Sequence, residues 1–360
     1  MSVMPDNFKN ILIVRTDRLG DVILTMPAVR ALRQRFPRAR IALLLHPSTQ
    51  DLVEGQPFVD EIIIDDRGRE YKGIMGFVKL IRELKAKRFD LAVIYHTKKR
   101  TNLACYLAGI PHRLGYRNDK YGLLLNHPIV DIRQEGKLHE AQFCFYVLKV
   151  FGIAVPPLEK ISLTVSVHQS AEQWAEGYLR QNNLTDGQKL IAVHMGASDP
   201  SRRWAEERFA ELIPQMIKRC RCRIIIVGGD DMRVSVKAMI AKIEGRPADG
   251  HASILDLTGL TTMAQLTSIL RRCRMLVSND TGPVHLAAAL NLPVVSIFTR
   301  NQPGINPERW KPLGPMSRFI AIPLDTAPDF RKAGSATLTY RGQIQVSDVL
   351  EEVDALWKLC

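Results

Sequence analysis

From about residue 10 to residue 300 the chain alternates short apolar runs of strand length with amphipathic stretches of helical length. Ile11-Leu12-Ile13-Val14 is the first run. A turn follows (Thr16-Asp17-Arg18-Leu19-Gly20), and then apolar residues recur at 22, 26, 29, 32 and 36, which is helical spacing. Further strands are predicted at 41–45, 61–64 and 90–95, with helices at 74–87, 100–108 and 139–151. After Val155-Pro156-Pro157 the alternation restarts, with strands at 190–194, 223–227, 274–278 and 293–298. Helices at 169–181, 205–219, 232–243, 262–273 and 283–290 separate them, and a last helix is predicted at 346–358. Strands that are apolar throughout, not apolar at every second residue, are buried on both faces and belong to parallel sheets covered by helices. The chain therefore reads as α/β, with two α/β domains facing across a cleft. Their expected extents are 1–160 and 161–345, and the 360 residues suffice for two ordinary cores.

Charge is the one unusual feature of the composition. Fifty Lys and Arg against 37 Asp and Glu give +13, and residues 1–165 carry +9 of it (26 basic, 17 acidic). An excess of that size suggests an anionic partner: nucleic acid, a phospholipid surface or a phosphorylated substrate. No apolar run approaches the roughly 20 residues that span a bilayer. Met1–Asn7 has neither the basic start nor the apolar middle of a signal peptide. The six cysteines include no C-x-x-C pair and read as reduced thiols, so a cytoplasmic protein is expected. Neither D-x-D nor a His/Cys cluster with metal-ligand spacing occurs, and no metal or cofactor is expected.

Ligands of open α/β sheets bind beyond the carboxyl ends of the strands, so the loops after the apolar runs hold the candidate residues. In Arg15-Thr16-Asp17-Arg18-Leu19-Gly20-Asp21, Asp21 is open to two assignments: a helix N-cap, or a general base. Arg15 and Arg18 lie on the same side. The single glycine is not a dinucleotide fingerprint. Ser278-Asn279-Asp280-Thr281-Gly282-Pro283-Val284-His285 runs from a strand into an alanine-rich helix, whose start could bind an anion or simply be a well-capped buried element. His194-Met195-Gly196-Ala197-Ser198 leads to Arg202-Arg203-Trp204, small residues followed by two guanidinium groups able to hold phosphate, or simply an ordinary basic loop. Val227-Gly228-Gly229-Asp230-Asp231 places carboxylates where ribose hydroxyls could bind, or where the next helix simply starts. In the basic half, Lys98-Lys99-Arg100 follows the fourth strand, with Arg113, Arg117 and Lys120 soon after.

Three of these segments carry a likeness. A strand followed by G-D-x-(apolar)-x-x-x-P (Ile11 to Pro27), G-A-S-x-x-S-R-R-W-x-x-E-R-F (Gly196 to Phe209) and D-T-G-x-x-H-x-A-A-A-L (Asp280 to Leu290) resemble, in this order, glycosyltransferase family 9, the ADP-heptose:lipopolysaccharide heptosyltransferases. The resemblance implies the GT-B architecture of two Rossmann-like domains, with acceptor bound by the first domain and nucleotide sugar by the second, and a C-terminal helix (346–360) crossing back to the first. It implies inverting, metal-independent transfer of heptose from ADP-L-glycero-D-manno-heptose to a Kdo or heptose hydroxyl of the lipopolysaccharide core precursor. By position, Asp21 would be the general base. Asp280, Thr281, Gly282 and His285 would line the donor diphosphate beside Ser198 and Arg202, with Asp231 near the ribose. Where the family often has lysine before the aromatic residue, this chain has Arg202-Arg203. Arg15, Arg18, Lys98, Arg113 and Arg117 become candidates for acceptor phosphates and carboxylates, or for peripheral contact with the anionic cytoplasmic face of the inner membrane. A relative with another sugar or acceptor, an epimerase of the same build, and a basic nucleic-acid-binding protein are the alternatives. No helix-turn-helix, zinc finger or aromatic stacking motif supports the last, and no nucleic-acid partner is expected.

Overall fold

A computed structural model describes residues 5, 7–96, 98–118, 122–184, 187–244, 253–324 and 343–359, so Lys120 and Cys360 lie outside the described residues. The chain divides into two compact units, Met1–Ser166 and Val167–Cys360, with the division a few residues beyond the expected boundary at 160.

The first unit contains β1 (Asn10–Arg15), α1 (Leu19–Arg35), β2 (Arg40–Leu45), β3 (Glu61–Ile64), α2 (Gly73–Ala86), β4 (Leu91–Ile94), α3 (Lys99–Leu107), β5 (His112–Tyr116), β6 (His127–Ile129) and α4 (Glu140–Leu148). All six strands are parallel, in the order β3-β2-β1-β4-β5-β6. β1 is central, with Ile11 opposite Ile41 on one side and Leu91 on the other, and Ile11 to Val14 are fully buried as a two-faced strand requires. One core gathers Leu12 and Val14 with Leu44, Ile94, Leu80 of α2 and Ala104 and Cys105 of α3. At Gly115 the β4–β5 approach leaves no room for a side chain: a Cβ there would lie 2.5 Å from the carbonyl oxygen of Ile94.

The second unit repeats the plan with α5 (Gln169–Gln181), β7 (Leu190–His194), α6 (Glu206–Cys220), β8 (Arg223–Ile226), α7 (Arg233–Glu244), β9 (Ile254–Asp256), α8 (Met263–Leu270), β10 (Met275–Asn279), α9 (Gly282–Ala289), β11 (Val294–Phe298), α10 (Pro307–Trp310), β12 (Ser317–Ala321) and α11 (Val346–Trp357). Its parallel sheet is ordered β12-β11-β10-β7-β8-β9. Counted from each unit's first strand, both orders are 3-2-1-4-5-6, the Rossmann arrangement. The α/β fold with two Rossmann-like domains expected of GT-B is the one observed.

The apolar face of the last helix belongs to the second core: Val346, Val349, Leu350, Val353 and Leu356 are all at most 3% exposed and pack with Phe209, Ile213 and Met216 of α6. Each buried aliphatic side chain of this kind contributes about 1.5–3 kcal/mol, and an Arg219–Asp354 ion pair at 2.8 Å joins the two helices at the surface.

Candidate active site

In the first sheet the strand order reverses between β1 and β4, and the residues beyond their carboxyl ends form a charged cluster. Arg15 ends β1 with its side chain 2% exposed. Its Nη2 lies 2.6 Å from Asp21 Oδ1 and 3.0 Å from Glu140 Oε1, its Nε lies 3.2 Å from Asp17 Oδ1, and its Nη1 donates to the Tyr95 carbonyl just past β4. Three carboxylates thus surround one guanidinium. They raise the proton affinity of Arg15 well above its ordinary value although burial alone would lower it.

Asp21 is the third residue of α1. Arg18 occupies the N-cap position and no side chain caps the helix, so the N-cap assignment of Asp21 is replaced by an ion pair with Arg15. The carboxylate still profits from the positive end of the helix dipole. Burial pushes its pKa up to about 7, with Asp17 and Glu140 adding to that effect and Arg15 and Arg18 opposing it. Asp17 is raised for the same first reason. His96 Nδ1 stands 3.9 Å from Asp17, but burial, Lys98 and Arg15 push its pKa down to about 3, so the ring is neutral near pH 7. A carboxyl group that exchanges its proton near neutral pH has the acidity general-base chemistry uses.

Of the basic candidates, Arg18, Lys98 and Arg117 are exposed beyond the carboxyl ends of β1, β4 and β5. Two others are not free cations. Arg15 is held by its three carboxylates. Arg113 sits near the amino end of β5, where its Nε donates to the Leu124 carbonyl at 2.7 Å, its Nη1 donates to the Ile110 carbonyl, and its guanidinium lies 5.3 Å from the centre of the Tyr106 ring. It braces the β5–β6 connection at the end of the sheet away from the cluster.

In the second unit the order reverses between β7 and β10, and the D-T-G and G-A-S segments meet there. Arg202 Nη2 donates to Asp280 Oδ2 at 2.9 Å and also to the Asp280 carbonyl. Asp280 is buried; burial raises its pKa while Arg202 opposes the rise, so this carboxylate holds the arginine. Two polar atoms of the pair, Arg202 Nε and Asp280 Oδ1, are buried without a hydrogen-bond partner among the described residues. Thr281 takes the N-cap position of α9, yet its side chain does not cap. Its hydroxyl lies 3.2 Å from His194 Nδ1 and 3.3 Å from Ser278 Oγ. Gly282 begins α9 and His285 is buried in its first turn, its ring centre 6.4 Å from that of Trp310. Gly196 keeps the loop after β7 tight: a Cβ there would lie 3.2 Å from His194 Nε2 and Met232 Cγ. Ser198 is exposed in this loop. Arg203 turns away from Arg202, donating from Nε to the Ala197 carbonyl at 2.8 Å and standing 3.8 Å from the exposed Asp231 carboxylate. Trp204 is locked by its own N–H on Asn279 Oδ1 at 2.9 Å and by Nε1 on the Ile344 carbonyl at 3.0 Å.

Sequence reasoning missed Glu140, which reaches Arg15 from 125 residues away, and Arg300, which donates to Asp199 at 2.8 Å and Ser201 at 3.0 Å beside the same segment. Arg300 follows β11, and its position beyond a predicted strand was the available signal. No local signal singles out Glu140.

Residues 77–339 match the profile of glycosyltransferase family 9 (heptosyltransferase). The chain belongs to this family. It is accordingly a glycosyltransferase, and the matched span contains the whole second-unit cluster. Among its relatives, lipopolysaccharide heptosyltransferase 2 of Escherichia coli K12 is 27% identical over 350 residues, covering 96% of this chain and 98% of that one. Among solved structures, a glycosyl transferase family 9 protein from Veillonella parvula superposes with a TM-score of 0.85 at 23% identity, over the whole of both chains. The ADP-heptose LPS heptosyltransferase II of E. coli gives 0.74 at 24% identity, covering 98% of this chain and 99% of that one. Among the described residues no helix is long and apolar enough to cross a membrane.

Proposed function

We propose that this family 9 glycosyltransferase transfers heptose from ADP-L-glycero-D-manno-heptose to a Kdo or heptose hydroxyl of the lipopolysaccharide inner core, with inversion and without a metal ion. The observation that carries the mechanism is the Asp21 carboxyl, whose pKa of about 7 lies beyond the carboxyl end of the central strand of the first unit. The descriptions of the relatives, a lipopolysaccharide heptosyltransferase and an ADP-heptose LPS heptosyltransferase, support the donor and the pathway in this reading. A sugar hydroxyl is a weak nucleophile. As its oxygen attacks the anomeric carbon, Asp21 takes the hydroxyl proton, the bond from that carbon to the diphosphate oxygen breaks with its electron pair, and ADP departs. The carboxyl group then returns its proton to water. Such general-base help contributes about 100- to 10,000-fold.

Charge developing on the departing diphosphate is met by Arg202, held by Asp280, and by the uncapped start of α9 with Thr281 and Gly282. Asp280 itself would repel a phosphate, so its role is to hold the guanidinium. His285 would line the same end, Ser198 would flank it from its exposed loop, and Asp231, exposed beyond β8, would serve ribose hydroxyls. Arg18, Lys98 and Arg117 would meet the anionic acceptor and the anionic inner-membrane surface.

The deciding experiment incubates the protein with ADP-heptose and a truncated, Kdo-bearing core acceptor and measures free ADP. Release that requires acceptor supports transfer. Release without it would indicate hydrolysis, and no release with this pair would point to another donor or acceptor.

A further inference from the structure

Resting on the assignment of Asp21 as the base, we propose that Glu140 is its positioning residue: by sharing Arg15 Nη2 with Asp21, Glu140 fixes the arginine and sets how readily Asp21 takes up a proton. The geometry points to this. Glu140 is the first residue of α4, far from β1 in sequence, and its side chain is 2% exposed. Its partner across the cluster is the guanidinium that also holds Asp21, at 3.0 Å and 2.6 Å respectively. A buried carboxylate is retained only where a cation compensates it. Arg15 must divide its single charge among Glu140, Asp21 and Asp17, whose Oδ1 is 3.2 Å from Nε. Burial is the first reason the Asp21 carboxyl is basic; to it is added that Asp21 receives only a fraction of a counter-charge while facing two like charges.

The other groups near Asp21 do not replace Glu140 in this role. Arg18, on the preceding turn, and Lys98, beyond β4, are exposed to solvent, which screens them. His96 is neutral near pH 7. On α4, burial pushes the Cys144 thiol up to about 12, so it too is neutral, and it lies 3.5 Å from the Thr25 hydroxyl of α1. Arg133 also faces Glu140 but is paired with Asp131 at 2.6 Å; Glu140 and Asp17 are thus the charged groups that compete with Asp21 for Arg15.

Glu140→Gln keeps the shape and removes one competitor. Arg15 then gives more of its charge to Asp21, and one like charge is gone. Both changes favour the ionised base, so the acid limb of kcat/KM against pH should move down by about one unit. A role for Glu140 in packing alone would lower activity at every pH and leave that midpoint in place. Asp17→Asn, in the loop and outside α4, should shift the midpoint the same way and tests the idea should the α4 substitution unfold the protein. Carbon-13 NMR of the Asp21 carboxyl in the full chain provides a readout that does not need turnover. An Asp21 titration unmoved by Glu140→Gln would overturn the proposal. Full activity of Asp21→Asn would instead overturn the general-base assignment, while the NMR shift would still report whether Glu140 governs the Asp21 carboxyl.

Discussion

The charged form of Asp21 is held at a cost in stability. Its pKa rises from 3.8 in an open chain to about 7 in the native state, with burial as the first cause. The native state therefore disfavours the charge. The favourable contribution of this group is fully present below pH 3.8 and is lost as the pH climbs through 7. Asp21→Asn should accordingly raise the unfolding midpoint at pH 8, and the gain should shrink as the pH falls toward 4, which thermal melts across that range would show. The same variant should lose transfer by about 100-fold or more while calorimetry finds ADP-heptose binding nearly unchanged; wild-type-like turnover would remove Asp21 from the role. In the wild type, kcat/KM should rise with pH to a plateau with its midpoint near 7, because the base acts only when ionised. A flat profile between pH 5 and 8 would contradict this.

Strands and loops set what each residue can do. Arg15 and Asp21 are six positions apart, but β1 ends between them, and the turn into α1 folds one back onto the other. Trp204 shows the same principle in the second unit, tying the arginine-bearing segment to Asn279 at the end of β10 and to the Ile344 carbonyl. Trp204→Ala should cost about 3–5 kcal/mol, read as a lower urea midpoint, and should weaken donor binding because Arg202 loses its support. Packing between elements is as strict: Gly115→Ala would press a methyl group onto the Ile94 carbonyl and should destabilise the first unit by about 1–3 kcal/mol. The strands that escaped prediction, β5, β6, β9 and β12, lie at or next to sheet edges. His127-Pro128-Ile129 and Ser317-Arg318-Phe319 lack the continuous apolar run because one side of an edge strand meets no neighbour and exposure is tolerated there.

At the scale of the whole molecule the net charge of +13 is the property most open to test, since most of it falls in residues 1–165, where Arg18, Lys98 and Arg117 stand exposed. Vesicles of anionic phospholipid should bind the protein at low salt and release it as the ionic strength passes several tenths molar, where the screening length falls to a few ångströms. Uncharged vesicles should bind little at any salt. Binding that ignores salt would show that these side chains are a solvated face and nothing more.

The sequence by itself determined the α/β class, the two repeated halves and the loops beyond the strand ends where the charged clusters gather. Fully apolar runs require burial on both faces, and a break in that pattern at a strand's end marks where polar ligands can approach. Tertiary structure alone decided which charges are available. Arg15 and Arg113 look like free cations in the chain, yet one is surrounded by carboxylates and the other braces backbone carbonyls. Glu140 has no local signal because its partner lies 125 residues away. The last helix, amphipathic wherever it packs, finds its apolar partners on α6. Periodicity records that a side chain must be buried, and only the folded chain determines what it is buried against.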